Sequence, residues 1–205
     1  MKNSDKNFYK PTRCIIGIDQ SYTCTGFAIY ADGKLRLITS ENFKGLKSKS
    51  LKRERVSEDV EKLIKTCRKY FKTNEITIIV ERIRTFSQTP KNNKNLSISF
   101  IKAQAALVCT IVDVAYKHKI KVYSVDTRAW KKAVLGTSKP LEKHMEGVKN
   151  PKKAMEIQHV INLGFEKEIT RKNTKTLVYD DDAADAACIA LYGNYGGPYK
   201  LLLEE

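Results

Sequence analysis

The sequence predicts an α/β fold: a mixed five-stranded sheet, built from an antiparallel three-strand meander plus two further strands, with helices on both faces. Three observations carry this. Three short apolar runs separated by turn residues open the chain. Two more apolar runs follow, each after a helical pattern. Helical patterns without an intervening strand close it. At 205 residues one domain is expected. It is placed at 13–193, with a flexible arm over 1–12 and a tail over 194–205.

Residues 13–19 read as a strand buried on both faces, because Cys14, Ile15, Ile16, Gly17 and Ile18 are apolar or small without alternation. A second strand covers 25–30. Ala31-Asp32-Gly33-Lys34 is a hairpin signal, which makes 35–39 the third strand. A basic stretch, with Lys44, Lys47, Lys49, Lys52, Arg53 and Arg55, precedes a helix carrying Val56, Val60, Leu63, Ile64 and Cys67 at helical spacing. Residues 76–80 are apolar throughout, hence a central fourth strand, and they end in Glu81.

A polar segment over 85–95 leads into a long helix over 96–118, and 122–125 is a short fifth strand. Asp126 starts another helix and Gly136 ends it. After a loop over 137–150, Pro151 opens a helix carrying Ala154, Ile157, Val160, Ile161 and Leu163, closed by Gly164. A second basic loop spans 167–175, and the last helix runs over 180–192. Trp130 is expected in the core.

Composition narrows the function. With 41% hydrophobic residues the chain can form a packed core. No stretch approaches the ~20 apolar residues of a membrane helix, so no membrane partner is expected. The first residues lack the apolar run of a signal peptide. Five cysteines, with no Cys-x-x-Cys, fit buried reduced thiols rather than disulfides or zinc. A reducing, DNA-containing compartment follows, such as the cytoplasm of a bacterial or phage-infected cell. Thirty-eight Lys and Arg face 23 Asp and Glu, for a net charge of +15. Such an excess favours a polyanionic partner, above all nucleic acid.

Against that background the acids stand in awkward places. Asp19 and Glu81 each end an apolar strand. Asp180, Asp181 and Asp182 open an apolar helix, and Asp185 sits among Ala183, Ala184, Ala186 and Ala187. In a helix Asp182 and Asp185 share a face. If Asp19, Glu81, Asp182 and Asp185 converge, their charges repel and raise one another's pKa, and a divalent cation reverses that repulsion. Oxygen ligands suit Mg²⁺ or Mn²⁺. Two such ions ~4 Å apart can drive phosphodiester hydrolysis. Separately, Asp19 can end a turn, Glu81 can pair with Arg82 or Arg84, and one of the three adjacent aspartates can cap its helix.

Three segments carry a resemblance. Residues 16–21 (Ile-Gly-Ile-Asp-Gln-Ser) with Gly26-Phe27-Ala28, residues 78–81 (Ile-Ile-Val-Glu) and residues 182–186 (Asp-Ala-Ala-Asp-Ala) are similar, in order and spacing, to the acidic motifs of RuvC-type Holliday junction resolvases, including phage-type members. The third matches residue for residue. In the first, Gln20-Ser21 stands where the family usually has Pro-Gly. The resemblance implies a ribonuclease H-like fold, a homodimer and two Mg²⁺ per active site, with Mn²⁺ able to substitute. It also implies paired nicks across a four-way DNA junction. By matching position, Asp19, Glu81, Asp182 and Asp185 are the metal-binding catalytic carboxylates.

Two family lysines map less uniformly. Residues 130–136 resemble the Lys-containing segment, with Lys131 the better match and Lys132 a phosphate contact. The second falls on Lys152 or Lys153, of which Lys153 is taken as catalytic. A Lys beside the scissile phosphate stabilises developing charge. Where the family has an aromatic probe after its second motif, this chain has Arg84, with Phe86 two residues on. Phe86 can stack on a base or simply anchor its loop. Lys47, Lys49, Lys52, Arg53, Lys91 and Lys94 are expected to contact DNA phosphates along with Arg84.

The function expected is a Mg²⁺-dependent endodeoxyribonuclease resolving four-way junctions. The alternative is a broader branched-DNA nuclease that also cuts flaps and forks. An actin-like or sugar-kinase-like ATPase needs two related domains and a second phosphate loop that this chain lacks. A catalytically dead binder would have lost an acidic motif. A ribonuclease H fits less well than a resolvase because of the Asp-Ala-Ala-Asp helix.

Overall fold

The computed structural model describes residues 13–83, 98–139, 144–171 and 175–195, with the backbone of residues 200–201. All five expected strands form: β1 (Cys14–Asp19), β2 (Cys24–Ala31), β3 (Lys34–Asn42), β4 (Ile76–Glu81) and β5 (Lys121–Val125). A two-residue β6 (Lys200–Leu201) pairs antiparallel with β5. The sheet order is β3-β2-β1-β4-β5-β6. β1 to β3 form the antiparallel meander, β4 runs parallel to β1, and β5 runs parallel to β4. β1 is thus central, which explains why its side chains are apolar on both faces.

The helices are α1 (Lys49–Tyr70), α2 (Ile98–Lys117), α3 (Thr127–Leu135), α4 (Ala154–Asn162), α5 (Glu166–Ile169) and α6 (Asp181–Asn194). α1 and α2 cover one face, where Ile16, Ile18, Ile78 and Val80 meet Val56, Ile64, Leu107 and Ile111. α6, backed by α3 and α4, covers the other, where Ile15, Ala28 and Ile79 meet Ala186, Ala187 and Trp130. Trp130 is fully buried, as expected. Four of the five cysteines are buried, Cys109 is exposed, and none is in a disulfide.

Three sequence expectations are corrected. The first basic stretch does not simply precede its helix: Ser48 caps α1 by accepting from the Leu51 amide, so Lys49, Lys52, Arg53 and Arg55 lie in its first turns. In the second basic loop, Lys167 belongs to α5, and Thr170 bridges back to Tyr179. Finally, α2 is long and apolar enough to cross a membrane by length and composition. Lys102 and Asp113 interrupt but do not disqualify it, and its Leu107, Ile111 and Val114 side chains are buried in the core beside α1.

Candidate active site

Strand alternation delivers the first two acids. Ile16 and Ile18 point toward α1 and α2, so Ile15, Gly17 and Asp19 point toward α6. β4 runs parallel to β1 with Ile18 opposite Val80, and the same alternation turns Ile79 and Glu81 toward α6. Asp19 and Glu81 therefore emerge together at the C-terminal ends of neighbouring parallel strands, where open α/β sheets place their sites.

The other two acids depend on how closely α6 approaches the sheet. A Cβ on Gly17 would fall 2.4 Å from the Ala186 carbonyl oxygen, and one on Gly26 1.9 Å from that of Asp182. Glycines on the strands and alanines on the helix let backbone meet backbone. Gly26→Ala is expected to push the start of α6 off the sheet. A thermal melt should show a loss of roughly 1–3 kcal/mol or more, and activity should fall further than stability because Asp182 moves with the helix.

Gln20 explains the departure in the first motif. Its buried side chain donates to the Glu81 carbonyl (2.6 Å) and accepts from the Glu81 amide (3.2 Å). An amide side chain thus extends the β1–β4 ladder and fixes the backbone of Glu81. The Glu81 carboxylate accepts from the Thr127 hydroxyl at the start of α3.

The acids also act on one another electrostatically. Burial, then the charges of Asp185 and Glu81, push Asp19 well above the usual carboxylate range. Lys153 opposes this, and Asp182 adds the smallest push. Asp185 is 1% exposed, and burial pushes it up to about 7 against the pull of Lys153. Its carboxylate is paired with the Lys153 ammonium, and its Oδ1 is buried without a hydrogen-bond partner among the described residues. Burial by itself would lower the Lys153 pKa; Asp185 and Asp19 outweigh it and hold the ammonium charged.

The fourth acid, Asp182, is less fully convergent. Its carboxylate, the Asp180 carboxylate and the Cys24 thiol lie within 4.8 Å of one another, and the Arg171 guanidinium approaches Asp182 at 3.7 Å. Asp180 itself is the helix cap, accepting from the Ala183 amide and from Ser40. Burial raises the Cys24 thiol to about 12, so it stays protonated at neutral pH and leaves an all-oxygen donor set.

Because Asp185 and Asp19 titrate above their ordinary value of 3.8, the metal-free fold binds protons that the unfolded chain releases. That contribution is complete below the unfolded pKa and is lost as pH rises through the folded one. The melting temperature of metal-free protein is expected to fall from about pH 5 to about pH 8. In Asp185→Asn that slope should shrink, leaving the part that the buried Asp19 contributes.

A cleft of about 760 Å³ opens beside these groups, lined by Glu81, Thr127, Lys131, Lys153 and Asp185 among others. Lys131 reaches it too, but bonded to Glu156 rather than to any of the four acids. Lys132, on the same helix, is exposed. Lys47, Lys49 and Arg53 are exposed around the start of α1, whereas the Lys52 ammonium donates to the Tyr22 carbonyl (2.8 Å). Arg84, Phe86, Lys91 and Lys94 lie outside the described residues.

Sequence reasoning missed Gln20, Thr127, Arg171 and Glu156. Glu156 carried a usable signal, since it stands on the apolar face of α4 with Ile157 and Val160 just as Asp185 stands among alanines. Gln20 showed only as a departure in the first motif and Thr127 not at all, because Glu81 is distant in sequence from both, and Arg171 was hidden in a run of basic residues.

No protein-family model matches the chain, and no curated protein sequence matches it. Solved structures do. Thermus thermophilus RuvC aligns over 92% of this chain and 99% of its own, with TM-score 0.58 and 16% identity. The same protein in complex with a Holliday junction substrate aligns over 93% and 99%, with TM-score 0.58 and 15% identity. The yeast mitochondrial Holliday junction resolvase aligns over 92% and 80%, with TM-score 0.50 and 14% identity. With its mixed sheet and helices on both faces, the chain has the ribonuclease H-like fold of the RuvC Holliday junction resolvases.

Proposed function

We propose that this chain is a divalent-metal-dependent endodeoxyribonuclease that resolves four-way DNA junctions by paired phosphodiester hydrolysis. One observation carries the reading: Asp19 and Glu81 end neighbouring parallel strands, Asp185 of α6 acts on Asp19 and lines a cleft with Glu81, and Asp182 lies one turn before it. The junction-bound Thermus thermophilus RuvC supports branched DNA as the substrate class.

The donor set fits a hard cation. It is all oxygen, its members repel one another, and the unpartnered Asp185 Oδ1 is an acceptor waiting for a cation. Asp19, Glu81, Asp182 and Asp185 would hold two Mg²⁺, or Mn²⁺ in their place, which when bound supply an activated water and charge neutralisation at the leaving oxygen. Thr127 and Gln20 orient Glu81 from the side chain and the backbone respectively. Lys153, kept charged, places a cation at the cleft floor to stabilise charge on the scissile phosphate.

Lys47, Lys49 and Arg53 stand at the N-terminal end of α1, where the helix dipole disfavours cations. Phosphate contact gives that placement a purpose. Lys132, exposed on α3, offers a further phosphate contact. A homodimer matches the two-fold symmetry of a junction, and the exposed Ile98, Phe100 and Tyr116 of α2 support an interface there.

The test is cleavage of four labelled substrates in Mg²⁺: an immobile four-way junction, a flap, a linear duplex and a single strand. Cutting confined to the junction supports the resolvase. Comparable cutting of flap and junction supports the broader branch nuclease. No cutting of any substrate would refute both.

A further inference from the structure

We propose that Glu156 is a positioning residue for cleavage, holding the Lys131 ammonium on the α3–α4 wall of the cleft and away from the metal-binding acids. This rests on the nuclease reading above. Glu156 lies on α4 and is 1% exposed. One carboxylate oxygen accepts from Lys131 of α3, and the other, Oε2, is buried with no hydrogen-bond partner among the described residues. A half-satisfied buried acid is a poor stabiliser: apolar side chains of similar volume would serve the fold as well or better. Stability therefore does not account for it, whereas the position of Lys131 does.

Lys131 lines the cleft with Glu81, Lys153 and Asp185, its ammonium 5.1 Å from the Trp130 ring centroid. Its charge already acts on Asp185, as does that of Glu156 with opposite sign. The four groups thus form two pairs of a buried acid with a half-buried lysine, Lys131 with Glu156 and Lys153 with Asp185. Without Glu156, the anions left to Lys131 are the cleft's own, Asp185 and Glu81. Asp185 already shares one oxygen with Lys153, so a second cation on its other oxygen, or one on Glu81, would take the acceptor left for a metal and withdraw a cation from the phosphate. Glu156 prevents both by giving Lys131 a partner on the side away from the acids.

Two readouts test this. The first does not depend on cleavage: trace acetylation of the folded protein, read by mass spectrometry at Lys131 and at exposed Lys132 on the same helix. Lys131 is expected to label several-fold more slowly than Lys132 in the wild type and to gain part of that difference in Glu156→Gln, where its ammonium leaves a fully buried partner for the open cleft. An unchanged ratio would overturn the tether. The second is single-turnover junction cleavage. Glu156→Gln should cut roughly 10- to 100-fold more slowly, with junction Kd unchanged. Lys131→Met alone and combined with Glu156→Gln should share one rate. Additive losses, or a full rate in Glu156→Gln, would overturn the proposal. Should that variant fold poorly, Glu156→Asp keeps the charge but shortens the reach, and a full rate there is equally fatal. If the wild type cuts no DNA, the nuclease reading fails, and with it the role in cleavage; the labelling alone then decides the tether.

Discussion

Asp182→Asn is expected to lower junction cleavage on the order of 10³-fold or more while leaving junction affinity within a few-fold. The two effects separate because the groups involved are in different places. Asp182 sits at the start of α6, among the acids. The exposed cations assigned to phosphate contact lie around α1 and on α3. The variant should also be no less stable than the wild type without metal. Burial raises the Asp182 pKa, with Asp181 and Asp180 adding to it, so the fold already disfavours its charge and a neutral isostere removes that penalty. Gel-shift and cleavage assays on one junction, with a thermal melt, measure all three. Affinity lost together with cleavage would contradict the division between binding and chemistry.

Lys153→Met carries the second large effect, and there stability and activity fall together. It strands Asp185, a carboxylate 1% exposed, without its cation. Removing one member of such a pair costs ~3–5 kcal/mol. The loss depends on pH. Asp185 is pushed up to about 7 even with Lys153 present and would rise further without it. In acid the stranded carboxyl is protonated and the penalty shrinks; as pH rises the unfolded chain releases a proton that the fold holds, and the penalty grows. Melts at about pH 5 and about pH 8 should therefore differ more for Lys153→Met than for the wild type. Cleavage should fall roughly 10²- to 10³-fold at any pH at which the variant is folded. A destabilisation equal at both pH values would locate the role of Lys153 elsewhere.

Much of this fold was legible because local signals and global packing agree. The unalternating apolar runs of β1 and β4 declared central strands, and the Asp-Gly turn fixed the β2–β3 hairpin. The acids were legible because a charge at the end of a buried strand, or inside an alanine-rich helix, is costly without a purpose. What escaped was relational. That Gln20 would replace a missing backbone ladder around Glu81 depends on strand register 61 residues away. That Arg171 would turn toward Asp180 and Asp182 instead of facing DNA depends on the Thr170–Tyr179 bridge. The start of α1 was read too late because a run of lysines resembles a loop, whereas Ser48 supplies a helix cap that composition alone conceals.

The most direct test of the central claim uses a supercoiled plasmid that extrudes a cruciform, incubated with the protein in Mg²⁺ and, in parallel, in chelator. Two coordinated cuts across the four-way junction convert the circle into a linear molecule with ends that a ligase can seal. That product, formed in Mg²⁺ and absent in chelator and with Asp182→Asn, is expected. Nicked circles alone, cutting away from the cruciform, or the same products in chelator would contradict a metal-dependent resolvase.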